Sequence, residues 1–232
     1  MADTTQVHII ARIRSDFHQK FGIPRQSGLV DELEAAVVFE PEYRDPEALR
    51  GLEGFSHLWL IWEFSQTKRD KWSPTVRPPR LGGNQRLGVF ATRSPFRPNP
   101  IGLSCVRLAG VDLHTPEGPV IRVAGADLMD GTPIYDIKPY LPYADCKPGA
   151  VGGFAAQPKA ATLAVDLPPE WAERVPEEKR AALAGVLAQD PRPPYQDDPE
   201  RVYGMEFGGL EVRFRVVEGR LTVCEVKKLK KV

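Results

Sequence analysis

Alternation of apolar and polar residues dominates the first two-thirds of the chain, and a period of two is the signature of strands with one buried face. It predicts strands over Val7–Arg14, Glu34–Phe39, His57–Phe64, Arg86–Thr92, Gly102–Leu113 and Val120–Asp127. Pro46–Gly51 reads as a short helix, with Asp45 as its N-cap and Gly51 as its stop. Many short strands parted by Gly and Pro turns predict an antiparallel barrel or sandwich.

The pattern then changes. Pro139–Pro158, rich in Pro, Gly and Ala, reads as a connector. Beyond it come a strand-like AATLAVDL, a helix near Glu177–Gln189, a loop AQDPRPPYQDDPE and a strand-like RVYGMEF. A hairpin turning at Glu218-Gly219 closes the series. The reading is a mainly β protein in two parts, a β domain over 1–150 and a small α+β domain over 151–232.

Composition narrows the class. Hydrophobic residues are 42% and charged residues 27% of 232, as in ordinary globular proteins. No apolar run approaches the roughly 20 residues that span a bilayer. The start, MADTTQVHIIARIRS, has neither a basic n-region nor a continuous apolar stretch, so no secretory signal is expected. Cys105, Cys146 and Cys224 form no CxxC and no cluster with His, so neither a disulfide framework nor a metal site is expected. A reducing cytoplasm fits this usage.

The net charge is zero, but its distribution is uneven. Between Gln66 and Pro100 stand Lys68, Arg69, Lys71, Arg77, Arg80, Arg86, Arg93 and Arg97, opposed by Asp70 alone. A solvated basic loop and a rim that meets phosphates both fit.

Chemistry concentrates in four segments. In GVFATRSPFRPNPIGLS, Pro95, Pro98 and Pro100 exclude both helix and paired strand. Arg93, Arg97 and Asn99 are thereby mounted on a stiff connection suited to an anion or a planar group. RPPRLGGN places Arg77 and Arg80 about a Pro-Pro just before Arg86. FGIPRQSG is a turn that can present Arg25 and Gln26, or an ordinary surface turn.

The fourth segment, GADLMDGTPIYDIKPYLPYAD, carries Asp127, Asp130, Asp136, Lys138 and Tyr140. Asp130-Gly131 is turn chemistry. Asp136 and Lys138 share a strand face, as a structural ion pair or as a carboxylate base tuned by a cation. FSHLWLIWEFSQT is mainly core, with His57 a strand-edge residue and Gln66 at the strand end. Ser-His-Asp, Cys-His, P-loop and GxGxxG patterns are absent, so hydrolase, NTPase and Rossmann readings lack support.

At PRQSG, GLEGFSHLWL, PTVRPPRLGGNQRLGVFATRSPFRPNPIGLS, DGTPIYDIKPYLPYAD and LAQDPRPPY the chain resembles the TrmO family, also called TsaA-like or YaeB. The resemblance implies an S-adenosylmethionine-dependent tRNA methyltransferase acting on N6 of threonylcarbamoyladenosine, 3′ of the anticodon. It also implies a single-sheeted β-barrel, not a Rossmann fold, and a homodimer. It places Pro24, Arg25 and Gln26, then Ser65, Gln66, Arg93, Leu103 and Ala124, Gly125, Ala126 and Asp127 at the cofactor. Ser65 stands where some relatives carry histidine.

Asp136, Asp130 and Tyr140 are the candidate bases, with Lys138 orienting a carboxylate. Arg77, Arg80, Arg86, Arg97, Asn99, Arg192 and Tyr195 are read as tRNA contacts from their charge and setting. A barrel that binds S-adenosylmethionine or RNA without catalysis stays open as the alternative.

Overall fold

Period-two alternation closes on itself here. The computed structural model describes residues 3–67, 72–81, 84–156, 162–193 and 198–229; the side chain of Arg80 and all of Tyr195 lie outside the described residues. The first half contains β1 (Ala11–Arg14), β2 (Glu34–Phe39), β3 (His57–Glu63), a two-rung ribbon of β4 (Thr75–Val76) and β5 (Leu87–Gly88), β6 (Ile101–Thr115), β7 (Gly118–Ala124) and β8 (Pro133–Pro139). Six of these form a closed barrel in the order β1-β2-β7-β6-β3-β8, with Ala11 of β1 opposite Ile134 of β8 completing the circle. Every neighbouring pair is antiparallel, although only β6 and β7 are joined by a short turn.

Side-chain parity decides what fills the barrel. On β3, Leu58, Leu60 and Trp62 are buried while His57, Trp59, Ile61 and Glu63 are half-buried on the outer face. The inward set packs with Ile13, Val37, Val106, Ile121, Val123 and Ile134. Each such burial is worth about 1.5–3 kcal/mol relative to exposure.

Beyond the connector, which contains the short helix α1 (Pro142–Asp145), come β9 (Ala164–Asp166), α2 (Pro169–Ala172), α3 (Glu177–Ala188), β10 (Tyr203–Phe207), β11 (Leu210–Val217) and β12 (Arg220–Lys228). The sheet order is β10-β11-β12-β9, with β9 parallel to β12. Glu218 (φ 47°) and Gly219 (φ 77°) make the tight turn between β11 and β12. Leu183, Val186 and Leu187 of α3 are buried in one cluster with Phe207, Val212 and Phe214.

Phe17, Val30 and Leu33, from the segment between β1 and β2, belong to that second core. Asp16 adds an ion pair with Lys179, and its carbonyl accepts the Gly208 N–H at 2.9 Å. The β1–β2 connection thus docks the second unit onto the barrel.

Several boundaries differ from the sequence expectation. The first strand begins at Ala11, not Val7, preceded by single bonds from the Ile10 N–H to the Ile134 carbonyl and from the Glu40 N–H to the Ile10 carbonyl. Arg86–Thr92 is no full strand: among the described residues only β4 pairs with it, so it shortens to β5 and continues as a 3-10 turn, Val89–Ala91. Pro46–Leu49 is likewise a 3-10 turn, capped by the Asp45 carboxylate on the Glu47 N–H at 3.0 Å.

Candidate active site at one barrel mouth

One end of the barrel gathers the ends of β1, β3 and β7, the start of β6 and the turns that join them. Gly102 opens the site. A Cβ there would meet the Trp62 ring at 2.3 Å, so only glycine lets the indole lie against β6. The Trp62 Nε1–H then donates to Ser104 Oγ at 2.9 Å, and the Ser104 hydroxyl donates to Asp127 Oδ1 at 2.5 Å. Trp62 and Ser104 are buried at inward positions of β3 and β6, and Asp127 is half-buried just beyond β7.

The PRQSG turn covers the relay. Gly28 N–H donates to the Gly125 carbonyl at 2.9 Å, and Gly125 N–H to Leu33 at 2.8 Å. Gly125 has φ +76°, and a Cβ on it would press on the Gly28 backbone at 3.3 Å. Pro24 is buried beneath the turn, leaving Arg25 and Gln26 exposed. Arg93 donates through Nη1 to the Gln26 side-chain oxygen, linking the turn to the proline-arginine run. Lys20 holds the Gln66 carbonyl at 3.1 Å.

Electrostatics single out Asp127. Its burial raises the carboxyl above the ordinary range, opposed by the Ser104 hydroxyl, by its own and the Ser27 backbone N–H, and by the Arg93 charge. The site has a carboxylate whose charge is costly in isolation, with a guanidinium nearby.

The run itself is built from side-chain turns. Thr92 Oγ1 caps Val89 O at 2.8 Å, the Ser94 and Phe96 amides are met by Thr92 and Ser94 hydroxyls, and Arg97 Nη1 reaches Thr92 O at 3.0 Å. Asn99 is exposed, and the Pro100 carbonyl receives the Phe64 amide at 2.8 Å. Arg77 is exposed, and Arg86 is held by Thr75 Oγ1 at 3.0 Å.

A second group occupies the outer face of β6, β3 and β8. Leu103, Ile61 and Asp136 lie in one row; Cys105, Trp59 and Lys138 form the next. Asp136 and Lys138 do pair, at 2.8 Å, with Asp136 Oδ1 also accepting the Ile137 N–H at 2.9 Å. Leu103 therefore points away from its neighbour Ser104.

Tyr140 lies at the far end of β8, against His57 and Trp59. Burial and neighbouring negative groups raise its phenol, so it keeps its proton. Asp130 is engaged by the Ser15 N–H at 3.1 Å and His18 at 3.5 Å, at the turn before β8. Arg192 is bound in two-pronged fashion to Asp190, at 2.9 and 3.2 Å. Ser65 is half-buried in a 3-10 turn after β3.

Sequence reasoning missed Ser104, Trp62 and Gly102, although a serine at an inward position of an apolar strand was a readable signal. It also missed Tyr135, which a β-bulge leaves without an opposite residue between Asp136 and Ile134. Burial and a hydrogen bond to Glu63 push its phenol up to about 12.

Comparison with known proteins decides the family. The tRNA-methyltransferase O N-terminal domain matches residues 12–146 and the TrmO C-terminal domain residues 160–229. The chain belongs to the TrmO family of tRNA methyltransferases. A tRNA (adenine(37)-N6)-methyltransferase of Escherichia coli is 44% identical over 226 residues, covering 94% of this chain and 96% of that protein. A Pseudomonas aeruginosa relative, provisionally named an S-adenosylmethionine-dependent methyltransferase, is 44% identical over 223 residues, 91% of this chain and 92% of its own. The crystal structure of TrmO from P. aeruginosa superposes with a TM-score of 0.79 at 36% identity, over 98% of this chain and 99% of that one. The TrmO barrel, with no Rossmann crossover, is the expected scaffold.

Proposed function

We propose that this TrmO-family chain methylates N6 of threonylcarbamoyladenosine at position 37 of tRNA, with S-adenosylmethionine as donor, giving N6-methyl-N6-threonylcarbamoyladenosine. The observation that carries the reading is Asp127 and Arg93 brought together around the Gln26 turn at one barrel mouth.

The residues fit the donor. S-adenosylmethionine presents an ammonium, a sulfonium and a carboxylate. Asp127, whose charge burial disfavours, gains from a cation, and Arg93 suits the carboxylate. Pro24, Arg25, Gln26, Gln66 and the Ala124–Asp127 segment would hold it, with Ser65 at its margin; Leu103, expected at the donor from the family resemblance, faces outward from β6 instead. When bound, it supplies an electrophilic methyl group.

The chain must then prepare the nitrogen. N6 of this nucleoside bears an acyl group, which delocalises its lone pair, and loss of its proton restores nucleophilicity. Asp136 is proposed to take that proton. It is exposed, whereas Asp130 is committed to a turn and Tyr140 keeps its own proton. Lys138 exchanges Asp136 for the threonyl carboxylate of the substrate, which favours modified over plain adenosine and leaves Asp136 without a competing cation. Orientation of the nitrogen supplies much of the remaining rate.

A homodimer accounts for the outer face. Ile101 and Leu103 are 45% and 51% exposed there, on the β6 side of Ile61, and a second copy is proposed to cover that β6 side while Asp136 and Lys138 of β8 stay open to the substrate. A tRNA substrate puts the work in the cytoplasm.

In vitro methylation of threonylcarbamoylated and unmodified tRNA tests the reading. Methyl transfer is expected on the first and not on the second; equal rates on both, or none on either, overturn it.

A further inference from the structure

The basic, acid-free segment before the long β6 strand has a feature its arginines do not explain. Residues 72–100 hold five arginines and no Asp or Glu. Within it Phe90 is 72% exposed and Trp72 is 52% exposed, the former the largest exposure of any described aromatic except Tyr143. Two exposed rings in contact form a contiguous apolar patch, and such a patch marks an interaction surface.

The fold brings them together deliberately. Trp72 lies just before β4 and Phe90 just after β5, and the two-rung pairing of Thr75 with Gly88 and Val76 with Leu87 closes the ribbon between them. Val89 N–H to Pro74 O, at 2.9 Å, fixes the exit. The rings meet with centroids 6.3 Å apart and planes at 33°. The Arg97 guanidinium sits 5.9 Å from the Phe90 centroid and is itself held by the Thr92 carbonyl. Arg86 is anchored on Thr75 of the same ribbon. Phe90 is three residues from Arg93, so the platform shares one stiff segment with the barrel mouth.

We infer that Trp72 and Phe90 form a stacking platform for an unpaired nucleobase of the substrate RNA, next to the base that is methylated. Aromatic faces accept any base, and flanking guanidiniums meet the phosphates that accompany it. A paired helix offers no free base face, so the platform selects a loop over a stem. Charge decides the occupant: a segment that carries five arginines and no acid, with Arg86 and Arg97 held beside the rings, suits RNA rather than an ordinary protein patch. The inference deepens the proposed function and rests on its tRNA reading.

The test uses the full chain and its Phe90→Ala and Phe90→Tyr variants. Kd is measured for tRNA, for an unstructured oligouridine and for a blunt RNA duplex, each at several salt concentrations, with S-adenosylmethionine binding and sedimentation alongside. Phe90→Ala is expected to weaken tRNA and oligouridine about tenfold, within the range found when a stacking ring is removed. Phe90→Tyr is expected to restore both. Duplex affinity, donor affinity and the salt slope stay as in wild type, whereas Arg97→Ala lowers the slope by about 0.7 to 0.9.

Wild-type affinity of Phe90→Ala for both single-stranded probes overturns the platform. So does an equal loss on the duplex, or a change of oligomeric state in place of RNA affinity. Absence of methyl transfer by wild type, with the oligouridine loss intact, overturns the proposed reaction and leaves the platform standing.

Discussion

Asp127 and Asp136 lie within ten residues of each other and live in opposite settings. Asp127 is enclosed at the barrel mouth, receives the Ser104 hydroxyl, and pays for its charge through burial. Asp136 stands on the outer face, 45% exposed at its side chain, with a lysine at 2.8 Å and the Ile137 N–H at 2.9 Å as its partners. An enclosed carboxylate is a fixed electrostatic element, held to attract a cation. An exposed one that can change partners suits proton transfer. The contrast teaches that residue type does not assign the role; what surrounds the oxygen atoms does.

The comparison is broken first at Asp136. Asp136→Asn keeps the shape and removes the proton acceptor, so kcat on threonylcarbamoylated tRNA falls about 100-fold or more with donor affinity unchanged. Turnover within threefold of wild type would remove Asp136 from the reaction.

Next comes the wall that shapes Asp127. Gly102→Ala drives a methyl into the Trp62 ring and costs about 2–3 kcal/mol of stability, read from denaturant midpoints. An unchanged midpoint would mean that Trp62 is free to move and the relay is soft.

Asp127→Asn sharpens the contrast through pH. Because the folded state raises this carboxyl, it binds the proton more tightly than the unfolded chain does. That favourable contribution is complete below the ordinary value of 3.8 and is lost as pH rises through the raised folded value. The variant lacks this loss, so its melting temperature gains on wild type as pH climbs through the window. S-adenosylmethionine affinity falls about tenfold at the same time, since a charge-assisted bond is gone. A melting difference independent of pH would show that Asp127 is not enclosed as described.

The smallest effect on stability is at Lys138. Its pair with Asp136 is exposed, so Lys138→Met changes stability by less than about 1 kcal/mol. Its consequence is selectivity: preference for threonylcarbamoylated over unmodified tRNA should fall. Undiminished preference would sink the proposed carboxylate contact.

Legibility in the sequence followed how local the cause was. The Glu218-Gly219 turn needs two positive φ values and nothing else, so its hairpin could be read from those residues. The Asp45 cap and the strand parity of β3 were readable for the same reason. Arg86–Thr92 was not, because whether an alternating segment becomes a strand depends on a partner, and among the described residues its partner is the two-residue β4. At the site, motif resemblance supplied Gln26, Arg93 and Asp127. Ser104 and Gly102 stayed hidden because their meaning lies in Trp62, about 40 residues away and adjacent only across the β3–β6 rungs.

Sequence alone determined the strand periodicity, the hairpin turn, the family motifs and the concentration of positive charge before Pro100, since each depends on residues near one another in the chain. Tertiary structure decided that the barrel closes through β1 and β8, that Ser104 and Leu103 face opposite ways, and that Phe17, Val30 and Leu33 serve the second core. It also set Trp72 beside Phe90. These outcomes depend on pairing and side-chain parity between distant segments, and burial is a property of the assembled surface rather than of any stretch of sequence.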